Sequence, residues 1–300
     1  MKKILLVLLA IVSQFSNAQA DGYAKSTDGT LIYYRIFGEG KPMLVINGGP
    51  GMNSNGFEAL AGKLAPHNTV ILYDQRGTGK SILKNLNPKT ITMSLMVDDI
   101  EAIRKHLKIE KWHILGHSFG GMMASYYATL YPQHIDKLIL SASGGINLGL
   151  LSYVPESMNS KLTQTERDSL AYWNAKIAAG DNSYKTRLGR GRNLAPAYLY
   201  DKKYVPLLAE RLTQGNARIN GLIWDNLQQI KFDCAPKLKT YTKPVLIIQG
   251  KQDLIKAETA EVAHRAFRNS KVVFMEHCGH YGWLDAETQY LGEIEGFLNP

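Results

Sequence analysis

The sequence predicts an α/β protein with a mostly parallel sheet, flanked by helices and interrupted by a helical insertion. Short apolar runs rich in β-branched residues alternate with segments of helical spacing, which is the pattern of βα units around a parallel sheet. Between residues 147 and 240 the alternation stops, and only helical or irregular segments remain. The alternation resumes from residue 241, so one sheet is expected to take strands from both ends of the 300-residue chain.

The first part of the chain, residues 21–146, supplies most of the expected core. Alternating apolar residues predict an early strand, and continuous apolar runs predict strands that are buried on both faces. Helices follow from apolar residues three or four positions apart, as in Ile100, Ile103 and Leu107. The predicted strands are 31–37, 42–47, 69–74, 112–116 and 135–143, and the predicted helices are 57–64, 92–107 and 119–132.

The insertion and the final segment complete the expected domain organisation. Residues 147–240 are predicted to form a helical cap, and residues 241–300 return to the core. Because the sheet uses the chain on both sides of the cap, no linker to a second independent domain is expected. The return contains predicted strands at 244–250 and 271–275 and predicted helices at 258–267 and 287–298.

The amino terminus has the features of an export signal. Two lysines precede the apolar stretch of residues 4–12, and residues 18–20 form an A-x-A cleavage site. We therefore expect residues 1–20 to be a signal peptide and the mature protein to be periplasmic or secreted, without a stable membrane anchor. A retained anchor is the alternative, but the apolar stretch is shorter than the roughly 20 residues that span a bilayer.

Charge and cysteine content argue against two classes, nucleic-acid-binding proteins and disulfide-stapled ones. The formal net charge is +9, and residues 147–240 hold 14 Lys or Arg against 8 Asp or Glu. Only residues 187–192, RLGRGR, are dense in positive charge, and no aromatic residue is interleaved with them as a single-strand binder requires. We expect a solvated basic surface. Cys234 and Cys278 are expected to be buried free thiols, with a bridge between them as the alternative.

A serine stands at the junction of a predicted strand and a helix rich in small residues. Residues 116–120 read G-x-S-x-G, with Ser118 at the centre. A serine on so sharp a turn needs glycine on both sides, because side chains there would collide with the neighbouring backbone. The turn lifts the hydroxyl clear of the sheet, so Ser118 is the candidate nucleophile.

The candidate base and its orienting acid follow the last two predicted strands. A serine hydroxyl needs a base to take its proton, and a third group must hold that base in place. Asp253 and His280 stand beyond strand ends, where ligand sites form on parallel sheets. We therefore expect Ser118, Asp253 and His280 to form a catalytic triad. Glu276 and Asp285 are alternative acids, but both lie too near His280 in sequence to approach from a separate strand end.

The other histidines are not expected to take part in chemistry or in metal binding. His277 and His280 lie three residues apart, but no carboxylate or third histidine stands at a metal-ligand spacing from them. No metal is therefore expected. His117 flanks the nucleophile on a tight turn and is expected to pack, pointing away from it. His113 lies within a strand and is expected to be a core histidine whose ring is satisfied by hydrogen bonds.

Five short motifs follow one another along the predicted core: NGGPG (47–51), DQRGTGKS (74–81), GHSFGG (116–121), GKQD (250–253) and GHYGW (279–283). Together they resemble the proline iminopeptidase branch of the α/β-hydrolases. The resemblance implies an α/β-hydrolase fold. In that fold the triad residues follow one another along the chain as Ser, Asp and His, which is the order of Ser118, Asp253 and His280. It also implies an oxyanion hole built from the backbone amides of Gly49 and Phe119.

Three positions depart from that family's pattern. Asn47 replaces the family's leading histidine in the glycine-rich motif. Proline iminopeptidases hold the amino group of the substrate with acidic side chains, mostly from the cap, yet Asn216 and Leu254 stand where acids are expected. A basic cap also repels an ammonium group. Four acidic residues are candidate substitutes, although plain surface charge is the simpler role for each: Glu156, Glu166, Glu210 and Asp225.

The sequence thus predicts a serine hydrolase that works through an acyl-enzyme and uses no cofactor. The resemblance implies release of amino-terminal proline, or a similar residue, from short peptides. An esterase, lactonase or thioesterase acting on a small acyl substrate is the alternative within this class. Trp224 and Trp283 are expected to shape the substrate pocket. A non-catalytic binding protein on the same fold is the alternative from another class, and no nucleic-acid partner is expected.

Overall fold

An eight-stranded sheet crosses the computed structural model, which describes residues 19–299. The strands in chain order are β1 (Ala20–Lys25), β2 (Leu31–Phe37), β3 (Lys41–Ile46), β4 (Asn68–Tyr73), β5 (Trp112–His117), β6 (Ile135–Ser141), β7 (Val245–Gly250) and β8 (Ser270–Met275). They lie side by side in the order β1-β2-β4-β3-β5-β6-β7-β8. Strand β2 runs antiparallel to its two neighbours, β1 and β4, and every other pairing is parallel.

Twelve α-helices within residues 19–299 connect and cover the strands. Six belong to the segment between β6 and β7, and the others pack on the sheet. They are α1 (Glu58–Leu64), α2 (Met93–His106), α3 (Phe119–Leu130), α4 (Val154–Ser160), α5 (Gln164–Ala178), α6 (Tyr184–Leu194), α7 (Val205–Leu212), α8 (Ala217–Gln229), α9 (Ala235–Leu238), α10 (Ala257–Ala266), α11 (Gly282–Asp285) and α12 (Glu287–Leu298).

The segment between β6 and β7, which we call the cap (residues 147–240), leaves and rejoins the core at neighbouring points. An isolated antiparallel bridge pairs Asn147 with Asp233. Next to it, the amide of Cys234 donates to the carbonyl oxygen of Ile146 at 2.8 Å. Because the two ends of the cap meet, its helices are added above the sheet without separating β6 from β7, which pair directly.

The α/β fold predicted from the apolar pattern is confirmed, and every predicted strand is present within two residues of its expected bounds. The pattern missed β1, which forms one edge of the sheet, opposite β8. Its sequence ADGYAK carries only one buried side chain, Ala24. An exposed edge strand buries too little apolar surface to produce a recognisable run.

The core consists of two apolar clusters, one on each face of the sheet. In β3 the side chains alternate between them, since Leu44 and Ile46 join one cluster while Met43 and Val45 join the other. All four are fully buried. Burial on both faces explains why the central strands read as continuous apolar runs.

A buried ion-pair network braces the loops at the carboxyl end of β4. Arg76 is fully buried, and its Nε and Nη2 donate to the Asp99 carboxylate at 2.8 and 2.6 Å, while Nη1 donates to Asp28 at 3.0 Å. At the same end of β4, the Asp74 carboxylate accepts a hydrogen bond from the Ser54 amide at 2.9 Å. Breaking such a buried pair strands a charge away from water, so the network fixes these loops.

Two predictions about the chain ends and the thiols have different outcomes. The predicted signal segment, residues 1–20, lies outside the described residues except for Gln19 and Ala20, and Ala20 begins β1. Among residues 19–299, no helix combines the length and apolarity needed to cross a bilayer. Cys234 and Cys278 are buried free thiols, as expected. They lie in different core clusters, and burial raises the pKa of each thiol to about 12.

Candidate active site

Ser118 alone makes the turn between β5 and α3. The strand ends at His117 and the helix begins at Phe119. Ser118 has a φ of 56° and a ψ of −121°, a conformation that residues with a side chain adopt only when their surroundings impose it. The next glycine is required, because a Cβ at Gly120 would lie 2.1 Å from the carbonyl oxygen of Ile46. The G-x-S-x-G motif therefore forms a strained strand-to-helix turn with its serine at the tip.

Asp253 and His280 lie against each other beyond the carboxyl ends of β7 and β8. His280 Nδ1 is 2.9 Å from Asp253 Oδ1 and 3.0 Å from Oδ2, and both side chains are buried. The Ile255 amide and the Gln249 side-chain amide donate to the same carboxylate, at 3.0 and 2.8 Å. These contacts fix the carboxylate. With Nδ1–H donating to Asp253, the neutral His280 ring presents Nε2 as its proton acceptor.

Ser118 and His280 line the same cavity, which has a volume of about 560 Å³ and lies between the core and the cap. Gly49 and Phe119 also line it. Asp253 is absent from the lining and sits behind His280. One space is therefore bordered by a hydroxyl, an imidazole and the two backbone segments from which an oxyanion hole is expected.

The glycine-rich loop after β3 is tied down by its own first residue. Gly49 has a φ of +78°, and a Cβ there would lie 2.4 Å from Met52 Sδ. Asn47 is fully buried, and its Nδ2 donates to the carbonyl oxygens of Gly48 and Met52 at 3.1 and 3.0 Å. The side chain of Gln75 donates to the Asn47 carbonyl oxygen at 2.9 Å. Asparagine thus anchors the loop from the position that holds histidine in the family the motifs resemble.

Arg211, from α7 of the cap, is a second anchor of this loop. It is buried, and its Nη2 donates to the carbonyl oxygen of Gly48 at 3.0 Å. The guanidinium also lies 4.6 Å from the centre of the Phe57 ring. Sequence reasoning missed Arg211, because it belongs to no motif and contacts a loop 163 residues earlier in the chain. Only the folded cap brings the two together.

Replacing Arg211 with Met is expected to lower kcat for an arylester about 10- to 100-fold, while KM changes little. The variant keeps the apolar stem over Phe57 but removes one of the two side-chain donors to the Gly48 carbonyl oxygen, leaving only Asn47 Nδ2, so the direction of the Gly49 amide is less firmly fixed. Removing an oxyanion donor outright costs about 10²- to 10³-fold in kcat, and misplacing one should cost less. Steady-state kinetics measure the effect, with exposed Arg265→Met on α10 as the control. An unchanged kcat in a folded Arg211→Met protein would contradict this positioning role.

His117 supports the site as a neutral, buried side chain. Burial first, and then the nearby His280 ring and Arg211 guanidinium, hold the pKa of His117 well below its usual value. The neutral His117 ring donates from Nε2 to the backbone carbonyl oxygen of His280 at 2.9 Å. His113 is also buried, and burial lowers its pKa. Neither ring lines the cavity, and both are packed in the core as expected. The expectation that His113 is hydrogen-bonded there is wrong, because neither of its ring nitrogens has a hydrogen-bond partner within residues 19–299.

The two alternative acids, Glu276 and Asp285, have other partners in the structure. Glu276 is exposed and pairs with Lys251. Asp285 accepts the amides of Gly279 and Tyr200 at 2.8 and 3.0 Å, which holds the loop before His280 in place. Within residues 19–299, no group of three or more His, Cys, Asp or Glu side chains is arranged to hold a metal ion.

The two tryptophans predicted for the pocket lie in different places. Trp224 lines the cavity, with its ring 6.4 Å from that of Phe119. Trp283 is 2% exposed and packs in the core, 4.8 Å from the His117 ring and 5.1 Å from the Phe57 ring. The prediction for Trp283 is therefore corrected: α11 turns this residue into the core rather than toward the cavity.

The described lining of the cavity contains no Asp or Glu. Asn216 and Leu254, which stand where the resembled family is expected to have acids, both line it. Asn216 also caps α8 by accepting the Ile219 amide at 3.2 Å. The acidic cap residues considered as substitutes are all absent from the lining: Glu156, Glu166, Glu210 and Asp225.

The sheet order, the nucleophile-type turn and the inserted cap together define an α/β hydrolase fold. A family described as alpha/beta hydrolase fold matches residues 41–287. This chain belongs to that family.

The sequence relatives are similar to this chain over most of its length and are named proline iminopeptidases. The proline iminopeptidase of Lactobacillus helveticus is 28% identical over 286 residues, covering 90% of this chain and 95% of the relative. That of Clostridioides difficile is 27% identical, with the same coverage. Both bear out the resemblance drawn from the motifs.

Solved structures agree on the fold. An α/β fold family hydrolase from Bacillus anthracis has a TM-score of 0.76 at 22% identity, covering 93% of this chain and 99% of that one. An esterase from Exiguobacterium antarcticum has a TM-score of 0.72 at 21% identity, with the same coverage. At this identity the likeness concerns the fold alone.

Proposed function

We propose that this chain is a serine hydrolase that cleaves carboxylic esters or amides through an acyl-enzyme on Ser118. The observation that carries the proposal is the convergence of three features on one cavity: the strained turn at Ser118, the Asp253–His280 hydrogen bonds, and the glycine-rich loop. Such features cost folding free energy, and each has a recognised role in acyl transfer. The family and the names of its relatives support hydrolysis as the activity.

The chemistry proceeds in two halves. Ser118 Oγ attacks the substrate carbonyl carbon while His280 Nε2 takes the hydroxyl proton, and Asp253 stabilises the imidazolium that forms. The amides of Gly49 and Phe119 donate to the resulting oxyanion, each contributing about 2.7 to 4 kcal/mol to the transition state. The tetrahedral intermediate collapses, and His280 passes its proton to the leaving oxygen or nitrogen. Water then repeats the sequence on the acyl-enzyme and frees Ser118.

The cavity favours acyl groups without a free amine. An aminopeptidase recognises the ammonium group of its substrate, and a buried ammonium needs an anionic or strongly polar partner. The described lining offers no carboxylate for that purpose, while two arginines repel the cation. The geometry therefore supports a hydrolase of esters or amides whose acyl group carries no free amine, rather than a peptidase that recognises a substrate amine.

Release of amino-terminal proline from short peptides is the second candidate, and the sequence relatives favour it. Two proline iminopeptidases match this chain over nine-tenths of its length, and the matches include the cap. On this hypothesis the substrate amine is held by neutral acceptors such as the Asn216 and Asn220 side chains, which line the cavity.

Three substrates separate the candidates: a prolyl arylamide, its amine-blocked form and a short acyl arylester. We expect the ester to be cleaved with a burst of one arylate per enzyme molecule, which reports acyl-enzyme formation. Cleavage of the free prolyl arylamide with rejection of the blocked form would assign the peptidase activity instead. Failure on all three, in a protein that also resists a fluorophosphonate, would contradict the serine hydrolase itself.

A further inference from the structure

The charges on the wall of the cavity all have one sign. Arg187 and Arg190, one turn apart on α6, are the only Arg, Lys, Asp or Glu side chains in its described lining. Both are half-buried. They belong to the dense basic stretch 187–192, which was expected to be a solvated surface. The structure instead turns two of its three arginines toward the space that Ser118 borders.

Neither guanidinium has a charged partner within residues 19–299. The Nε of Arg190 donates to the neutral side-chain oxygen of Asn174 at 2.8 Å. The Nε of Arg187 is buried and finds no hydrogen-bond acceptor in the described part of the chain. A half-buried guanidinium beside an apolar cavity is normally matched by a carboxylate or phosphate, to which it donates two parallel hydrogen bonds. The described residues supply no such partner.

A neighbouring cavity carries charge of the same sign. A second cavity, of about 550 Å³, shares Arg187, Asn182 and Asn216 with the first. Arg218 also lines it, and its described lining contains no Asp or Glu. The charged side chains in the described lining of both cavities are therefore positive, which favours the approach of anions over that of cations.

We infer that the substrate of Ser118 carries a free carboxylate in addition to its reacting carbonyl group, and that Arg187 and Arg190 of α6 bind this carboxylate. The inference rests on the proposed serine hydrolase and names its substrate class: monoesters or monoamides of dicarboxylic acids. On this inference the reacting carbonyl lies at Ser118, and apolar residues that line the same cavity, such as Met158 and Leu194, cover the connecting carbon chain. This assignment excludes the ammonium group of a peptide amino terminus from the same pocket.

The test compares an arylester that bears the carboxylate with one that has lost only its charge. The probes are mono-4-nitrophenyl esters of adipic and suberic acid, each paired with its neutral methyl diester. We expect the wild-type protein to prefer the better-fitting anionic ester over its neutral partner roughly 10- to 100-fold in kcat/KM, the range of a charge-assisted hydrogen bond. The preference should shrink as salt is added.

Two substitutions assign the preference to the arginines. Arg187→Gln and Arg190→Gln should each lower the anionic-to-neutral ratio about tenfold, and Arg187→Lys should restore part of it. The matched control is Arg192→Gln, an arginine of the same helix that is exposed and absent from the lining, and it should leave the ratio unchanged. The ratio is internal to each variant, so a variant with reduced total activity still reports it.

The outcomes distinguish a wrong substrate class from a wrong enzyme class. Equal rates on both esters, or a ratio that survives both substitutions, would overturn the inference while the burst on Ser118 upholds the hydrolase. Preference for the free prolyl arylamide would also overturn it. If no ester is cleaved and Ser118 takes no fluorophosphonate label, the proposed function falls, and this inference falls with it.

Discussion

Replacing Ser118 with Ala is expected to lower kcat for an arylester roughly 10⁴- to 10⁶-fold. Without the hydroxyl no acyl-enzyme forms, and the Asp253–His280 pair retains a base with no nucleophile to activate. The variant should fold normally, because Ala removes one oxygen from a turn whose conformation is imposed by its neighbours. Steady-state kinetics measure the loss, and covalent labelling by a fluorophosphonate, followed by mass spectrometry of the intact protein, should fall to zero.

A second serine on the same helix provides the control. Ser125 is fully buried in α3, where its hydroxyl donates to the carbonyl oxygen of Gly121 at 2.9 Å, and it is absent from the cavity lining. Ser125→Ala should be labelled and should retain activity within about twofold of the wild type. Full labelling of Ser118→Ala would place the nucleophile elsewhere. A folded wild-type protein that is never labelled would favour the non-catalytic binding protein.

The fold was predictable because its central strands are buried on both faces. The four buried positions of β3, residues 43–46, are all apolar, and such a run can be recognised in the sequence without knowing which strand lies beside it. The edge strand β1 has no such run. Its six residues pair with β2 through backbone groups, which leave no trace in side-chain character. Strand order was likewise not readable, since it depends on where each crossover packs.

Some residues of the candidate site could be predicted from the sequence and others could not. Ser118, Asp253 and His280 stand at strand ends, so the topology of parallel sheets brings them to one edge once the strands are recognised. Trp283 stands near a strand end as well, but three residues after His280 the chain has already turned into the core. Position relative to a strand predicts which loop carries a residue, and not which way its side chain points.

Contacts between the cap and the core were beyond sequence reasoning. Arg211 reaches Gly48 and Arg187 reaches the cavity only because helices of the cap fold over the sheet. Neither arginine differs in local sequence from a surface residue, since Arg192 on the same helix as Arg187 is exposed. The cap therefore makes two contributions that the motifs do not record: Arg211 contacts the loop of the expected oxyanion hole, and Arg187 and Arg190 give the cavity wall its positive charge.

Replacing Asp253 with Asn is expected to lower kcat roughly 10⁴-fold. Each carboxylate oxygen of Asp253 already accepts a hydrogen bond from a fixed donor: the Ile255 amide donates to Oδ1, and the Gln249 side chain donates to Oδ2. Both oxygens also face His280 Nδ1. An asparagine in either orientation turns its NH₂ group toward one of those donors. That NH₂ group also faces His280 Nδ1 as a donor, so the ring favours the tautomer with its proton on Nε2, which cannot take the proton of Ser118.

The same substitution should also cost stability, because a donor facing a donor in a buried site costs about 1 to 3 kcal/mol. Kinetics and urea unfolding of the same preparation separate the two effects, since a 10⁴-fold loss of kcat in a protein that is still folded cannot come from unfolding. Glu276→Gln is the matched control: this carboxylate lies near His280 in sequence, pairs with Lys251 at the surface, and should change kcat less than twofold. A larger loss in Glu276→Gln than in Asp253→Asn would make Glu276 the orienting acid and would require a different arrangement of His280 from the one that binds Asp253.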